Sequence, residues 1–356
     1  METRHESAGR EILARREELA KALVDREFSL HPELGQRYGA IAREKSLQDA
    51  GYHLSYLAQA LSAGSGELFH DYVAWARIML AQRGVLSSDL AFHLECLRDT
   101  LLERLGGGEA LVAGKFVDSA LARLPSMPDN LPTFFGESAP HSPLAHQYLQ
   151  ALLRGERDVA SRLILLAVEQ GMPVKDVYLH VFQLAQYEIG RLWQTNQISV
   201  AQEHYCTAAT QLIMSQLYPH IFSGEKTGGT IVATCVSGEL HEIGVRMVAD
   251  FFEMDGWNSY YLGANMPVTE IVRTVAERRA DVLGIGVTIT YHVATAEEII
   301  RAVRADPACR GVKILVGGYP FNIEPGLAEK IGADGFAPDA QSAIALANQL
   351  TGRNSR

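Results

Sequence analysis

The sequence predicts a multidomain α and α/β protein: an N-terminal all-α domain, then a four-helix bundle, then a C-terminal doubly wound parallel sheet. Three observations lead there. Apolar residues recur three and four apart through roughly the first two thirds of the chain. A proline-rich break interrupts that pattern. After Gly228 short apolar runs alternate with amphipathic helices.

Helical periodicity over residues 8 to 124 is clearest in GYHLSYLAQALSAG, ELFHDYVAWARIML and DLAFHLECLRDTLLERL, with breaks at Gly64 to Gly66, Gly84 and Gly106 to Gly108. Residues 1–124 are therefore assigned to an all-α domain. Residues 125–143 hold five prolines among small polar residues and read as a linker. Periodicity resumes over 144–223 in four pieces, broken near Gly155, at Gly171-Met172-Pro173 and from Gln194 to Ser199, as a four-helix bundle requires. Ser199 with Gln202 three residues on is a capping-box pattern, so the last bundle helix should start there. Over 224–356 the runs TIVATC, SYYL, VLGIGV, KILVGG and DGFA imply five βα units in the flavodoxin-like order 2-1-3-4-5.

Composition narrows the function classes. The chain has 356 residues, 47% hydrophobic content and net charge -10, with no Lys/Arg cluster long enough to follow a phosphate backbone, so direct nucleic-acid binding is not expected. No apolar run reaches the ~18 to 20 residues of a membrane span, and the charged start lacks a signal-peptide centre. A cytoplasmic protein is expected. Cys96, Cys206, Cys235 and Cys309 lie far apart without metal-ligand spacing and read as free thiols.

In a sheet of this order a ligand sits beyond the carboxyl ends of the strands, near the switch point between the first and third. Three loops meet that condition. The first, VSGELHEIG, carries Glu239, His241 and Gly244; the second carries Thr288 and Thr290; the third carries Gly317 and Gly318. A histidine with an acid two residues before it suits a metal ligand whose second ring nitrogen is oriented by a carboxylate. The small residues leave room for a long group to thread beside the sheet.

E-x-H-x-x-G after the first strand, S/T-x-S/T after the third and G-G after the fourth resemble the cobalamin-binding domain of corrinoid proteins. The resemblance implies that His241 replaces the cofactor's own base as lower cobalt ligand, while the dimethylbenzimidazole tail passes Thr288, Thr290, Gly317 and Gly318. The family's usual acid is Asp, and Glu239 departs from it by one methylene. GANMP, with Gly263 and Asn265, matches a similar family loop after the second strand.

Within the bundle, Trp193 is followed after nine residues by Glu203-His204. This resembles the light-sensing cobalamin photoreceptors of the CarH and LitR type. That resemblance implies adenosylcobalamin, with Trp193 over the adenosyl group, Glu203 on its ribose and His204 as upper cobalt ligand after photolysis. An indole face, a carboxylate and a neutral imidazole suit those roles chemically. Instead of a DNA-binding domain this chain has its helical first domain, an architecture similar to the photocobilins, which add a bilin. His53, Tyr56, His70, Tyr72, Trp75, Arg77 and His93 are the groups there that would contact biliverdin, and Cys96 is not expected to link it. As structure alone, the domain could equally serve dimerisation or partner docking.

The main expectation is thus a light sensor, a homo-oligomer with a light-dependent state and an unknown downstream protein, with no catalytic domain and no substrate turned over. The alternative is a corrinoid methyl carrier of a methyltransferase system. A cobalamin-dependent mutase is least favoured, because it needs a catalytic barrel of ~250 residues for which the chain has no room.

Overall fold

The structure is a computed structural model describing residues 3–136, 140–222, 226 and 228–353. Two compact units emerge: residues 1–129 with 289–294, and residues 130–288 with 295–356.

The first unit is all α, with main helices Arg4–Ala14, Arg16–Leu30, Ala42–Ala63, Gly66–Ala81, Ser87–Arg104 and Gly107–Arg123. Helix formation begins earlier than periodicity suggests, because Thr3 and Glu6 form a reciprocal capping box ahead of the first apolar stripe. The glycine breaks fall at helix ends: Gly64 takes a left-handed φ of 66° and closes Ala42–Ala63. The first helix packs closely on Ala42–Ala63, where a Cβ on Gly9 would lie 2.5 Å from the Ala58 carbonyl oxygen.

The polar residues inside this unit are tied to one another. His53 and the Tyr72 hydroxyl share a hydrogen bond of 2.7 Å, Tyr72 stacks on Tyr56 at 3.7 Å, and His70 meets Ser119 at 2.9 Å. Burial pushes His53 well below the ordinary imidazole range, so the ring is neutral. Arg77 donates to the Leu124 and Met127 carbonyls and to Asp129, fixing the end of the unit. Glu27, only 5% exposed, accepts from Ser46 and pairs with His93 Nδ1 at 3.0 Å. Burial pushes its carboxyl up, and the His93 and Ser46 contacts outweigh that and hold it below the usual range.

The second unit opens on the proline-rich stretch, which is anchored in its described part. The Phe134 amide donates to buried Glu188 at 3.0 Å, Glu188 is gripped by Arg191 at 2.6 Å, and Phe135 enters the bundle core. The bundle comprises Ser142–Leu153, Arg157–Glu169, the segment 174–194 and Val200–Gln216. Ser199 caps the last of these, with both capping-box bonds formed. The segment 174–194 contains a π turn, Tyr178–Phe182, within which Tyr178, Val181 and Phe182 are buried; hydrophobic period alone does not disclose such a turn.

Five parallel strands follow: β1 Thr230–Cys235, β2 Asn258–Gly263, β3 Val282–Gly286, β4 Lys313–Gly317 and β5 Gly335–Phe336, in order β2-β1-β3-β4-β5. The fold class matches expectation. Buried apolar residues dominate β1, β3 and β4, as a sheet covered on both faces requires. Register places Cys235 beside Gly286 and Gly286 beside Gly317, so the loops after β1, β3 and β4 leave the sheet in one row. All four cysteines are free and buried, and no helix among the described residues is long and apolar enough to cross a membrane.

Two stability outcomes follow. Gly318 has φ +113°, and a Cβ there would lie 1.9 Å from the Val287 oxygen. Gly318→Ala should lower stability by at least about 2 kcal/mol even without cofactor, read as a shift in the urea midpoint. His93→Ala strands the Glu27 carboxylate and should cost about 2 kcal/mol, with a decrease under 0.5 kcal/mol counting against the pairing.

Candidate functional site

Glu239 organises the site. It leaves β1 on a turn in which its amide donates to the Val236 carbonyl at 3.1 Å, and its side chain is fully buried. One carboxylate oxygen accepts from the His241 amide at 3.1 Å and contacts His241 Nδ1 at 2.5 Å; the other accepts from the Thr288 amide at 2.9 Å. The Glu239 carboxylate thereby joins the loops after β1 and β3. With Nδ1 held by Glu239, Nε2 is the ring nitrogen chemically suited to hold a metal, and the His241 side chain is 58% exposed. The Glu239 hydrogen bond raises the His241 pKa above the ordinary value; desolvation opposes it, and the charges of Glu239 and Glu203 add to the rise. Bundle residue Glu203 is thus close enough to act on the histidine.

The loop after β2 is stitched to the same place. Asn265, at φ +54°, donates its amide to the Glu239 carbonyl at 3.1 Å, and its side-chain oxygen accepts from the Gly238 amide at 2.8 Å. Asn265 therefore shapes the His241 loop from beside it. Gly263, at φ +85°, faces the Glu242 carboxylate, which a Cβ would approach to 3.3 Å. Gly244 stands in the first turn of Ile243–Met254 with open space around it. Gly317 accepts from the Val287 amide at 3.0 Å, and Gly318 is required by its closeness to Val287. Thr288 lies half-buried at the mouth of this row. Thr290 is buried in the turn Thr290–His292, within the segment 289–294 that clusters with the first unit.

On the bundle, Trp193 is half-buried near the end of Gln183–Gln194. Glu203 accepts from the Thr207 hydroxyl at 2.9 Å, and His204, 73% exposed, lies 3.4 Å from Glu203. The bundle meets the helix that follows His241 through groups the motif reading did not single out. Arg246 donates to the Gln211 carbonyl and Ser215, Gln211 donates to Glu242, and the Tyr178 hydroxyl donates to Asp250 at 2.8 Å. The available signal was modest: Glu242 is a second acid beside His241.

Residues 229–346 match the family model described as B12 binding domain, and residues 144–218 match a second model of the same description. Both segments lie beyond residue 143. A corrinoid protein of Desulfitobacterium hafniense is 26% identical over 214 residues, 59% of this chain and 98% of that protein. Dimethylamine corrinoid protein 3 of Methanosarcina acetivorans is 25% identical, covering 58% of this chain and 96% of its own length. The solved Methanosarcina barkeri monomethylamine corrinoid protein aligns with TM-score 0.53 at 20% identity, covering 59% of this chain and all of that one, which places the two in one fold.

The chain carries B12-binding domains. The donor set agrees, since an imidazole fixed through Nδ1 with Nε2 on an exposed side chain is chemically apt for cobalt.

These relatives correct the light-sensor expectation: they are corrinoid proteins and not photoreceptors. The W-x9-E-H spacing fixes where Trp193, Glu203 and His204 fall on the bundle; it does not specify what they bind. The adenosyl form, the ribose contact of Glu203, the post-illumination ligation by His204 and a light-dependent oligomer lose their basis with it. Biliverdin is likewise unsupported. Its expected contacts His53, Tyr72, His70, Arg77 and His93 are engaged in the internal hydrogen bonds of the first unit.

Glu239→Gln replaces a pure acceptor with a group that must also place two N–H donors. Corrinoid affinity should fall about 10- to 100-fold, measured by equilibrium titration of the cofactor-free protein; unchanged affinity would deny Glu239 its orienting role.

Proposed function

We propose that this chain is a corrinoid methyl carrier of a methyltransferase system, with His241 as lower cobalt ligand. The observation that carries the reading is the exposed His241 ring fixed by buried Glu239, within a chain whose relatives are named as methylamine corrinoid proteins. When bound, the corrinoid supplies a cobalt that takes up and gives up a methyl group.

The chain's own residues hold and orient. Glu239 sets the His241 tautomer and binds the loop after β3 through the Thr288 amide. Asn265 braces the His241 loop from beyond β2, and Gly317 and Gly318 let the end of β4 pack against the Ala337 and Val287 backbone oxygens. Trp193, Glu203 and His204 are the bundle groups we place toward the cofactor's other face. On this reading the carrier turns over no substrate; partner methyltransferases load and unload the methyl group.

Two measurements test it. In the reduced, cobalamin-loaded protein labelled with 15N-histidine, the Co(II) electron paramagnetic resonance spectrum should show 15N splitting that is absent in His241→Ala, where the cofactor's own 14N base is the alternative ligand; 15N splitting that persists in that variant, or is missing from the wild type, would remove His241 from the metal. Isotopically labelled methyl from a methylamine, supplied with a methylamine-specific methyltransferase, should become protein-bound only when corrinoid and reductant are present. Absence of label on the loaded wild-type protein would count against the carrier role.

A further inference from the structure

Resting on the carrier reading, we infer that Glu242 is a positioning residue that transmits docking of the bundle to the loop presenting His241. Its carboxylate joins three elements. One oxygen accepts from Gln211 Nε2, on the bundle helix Val200–Gln216, at 2.8 Å. The other accepts from the Tyr261 hydroxyl on β2 at 2.8 Å and from the Ala264 amide beyond it at 3.0 Å. Glu242 is adjacent to His241 in sequence and heads the helix Ile243–Met254.

The surroundings are built for that carboxylate. Gly263 leaves it room, and burial together with the Glu242 contact pushes the Tyr261 hydroxyl up, so the phenol remains a donor. The same bundle helix is held one turn further along by Arg246, which donates to the Gln211 carbonyl at 3.1 Å and to Ser215 at 2.7 Å. Arg246 and Ser215 therefore bind bundle to helix without touching the loop, whereas Gln211 through Glu242 binds bundle to loop. Any movement of Val200–Gln216 away from Ile243–Met254 would release Gln211 from Glu242. The His241 loop would then keep only the Tyr261 and Ala264 arms of that clamp. Bundle position and histidine presentation are linked in one hydrogen-bonded carboxylate.

The test uses the full chain with Gln211→Ala, Gln211→Glu and, as control, Ser215→Ala. Gln211 is only half-buried, so its replacement leaves the core intact. In the cofactor-free protein, amide exchange at residues 238–242 and at Ala264 should speed up about 5-fold in Gln211→Ala, and further in Gln211→Glu, which sets a carboxylate against Glu242. Ser215→Ala should stay within about 2-fold of wild type, since a lost hydrogen bond of this size acts locally. In the cobalamin-loaded proteins, both Gln211 variants should show a reduced fraction of histidine-ligated Co(II), and Ser215→Ala should not. Equal behaviour of Gln211→Ala and Ser215→Ala, or unaltered loop exchange in both Gln211 variants, overturns the coupling. If wild-type protein itself lacks the histidine signature, the ligand assignment fails, while the cofactor-free exchange still decides the role of Glu242.

Discussion

A buried carboxylate, Glu239, is the constraint around which the site is arranged. Removing an ionised carboxyl from water costs several kcal/mol unless donors replace the water. Here the donors are the His241 amide and imidazole and the Thr288 amide. Because they lie on two loops, satisfying the charge also fixes the distance between the end of β1 and the end of β3. The strand register makes this attainable, since Cys235, Gly286 and Gly317 are already aligned across the sheet. The orientation and exposure of the His241 ring are thus a consequence of how the fold satisfies a buried charge.

The junction between bundle and sheet follows similar logic with less complete satisfaction. Burial raises Asp250 to about 6, against the opposing effects of the Tyr178 hydroxyl and Arg246, so this carboxyl is held near its limit of ionisation at the contact. Tyr178, at the start of the π turn Tyr178–Phe182, is buried in the core and donates its hydroxyl to Asp250. Arg246 adds bonds to Gln211 and Ser215, and its guanidinium lies 5.7 Å from the Tyr218 ring. These polar contacts specify the docking geometry beside an apolar core that bundle and sheet share, in which Tyr178, Phe182 and Leu217 cluster with Phe251, Phe252 and Trp257.

In the first unit, the residue types that drew attention as chromophore contacts are the ones a helical core needs when it buries histidine, tyrosine and arginine. His53 with Tyr72, His93 with Glu27 and Arg77 with the Leu124 and Met127 carbonyls partner these groups inside the unit. From sequence, a buried polar group paired within its own fold and one reserved for a ligand look alike. The same holds for Trp193 and Glu203-His204, whose spacing defines positions on the bundle and leaves the bound group open.

The chain's pattern by itself determined the fold class, the strand order, the Ser199 helix start and the three loops that carry Glu239, His241, Thr288 and Gly317-Gly318. Those features are encoded locally, in hydrophobic period, capping residues and the alternation of short apolar runs with helices. Tertiary structure alone decided that Glu239 bridges two loops, that Asn265 braces the His241 loop, that the described part of the proline-rich segment is anchored through Glu188, and that Gln211 meets Glu242. Each depends on residues 26 to 54 positions apart or on a turn of irregular geometry. Side-chain partners across such separations are set by how packed elements bring them together, and local sequence preference carries no term for that distance.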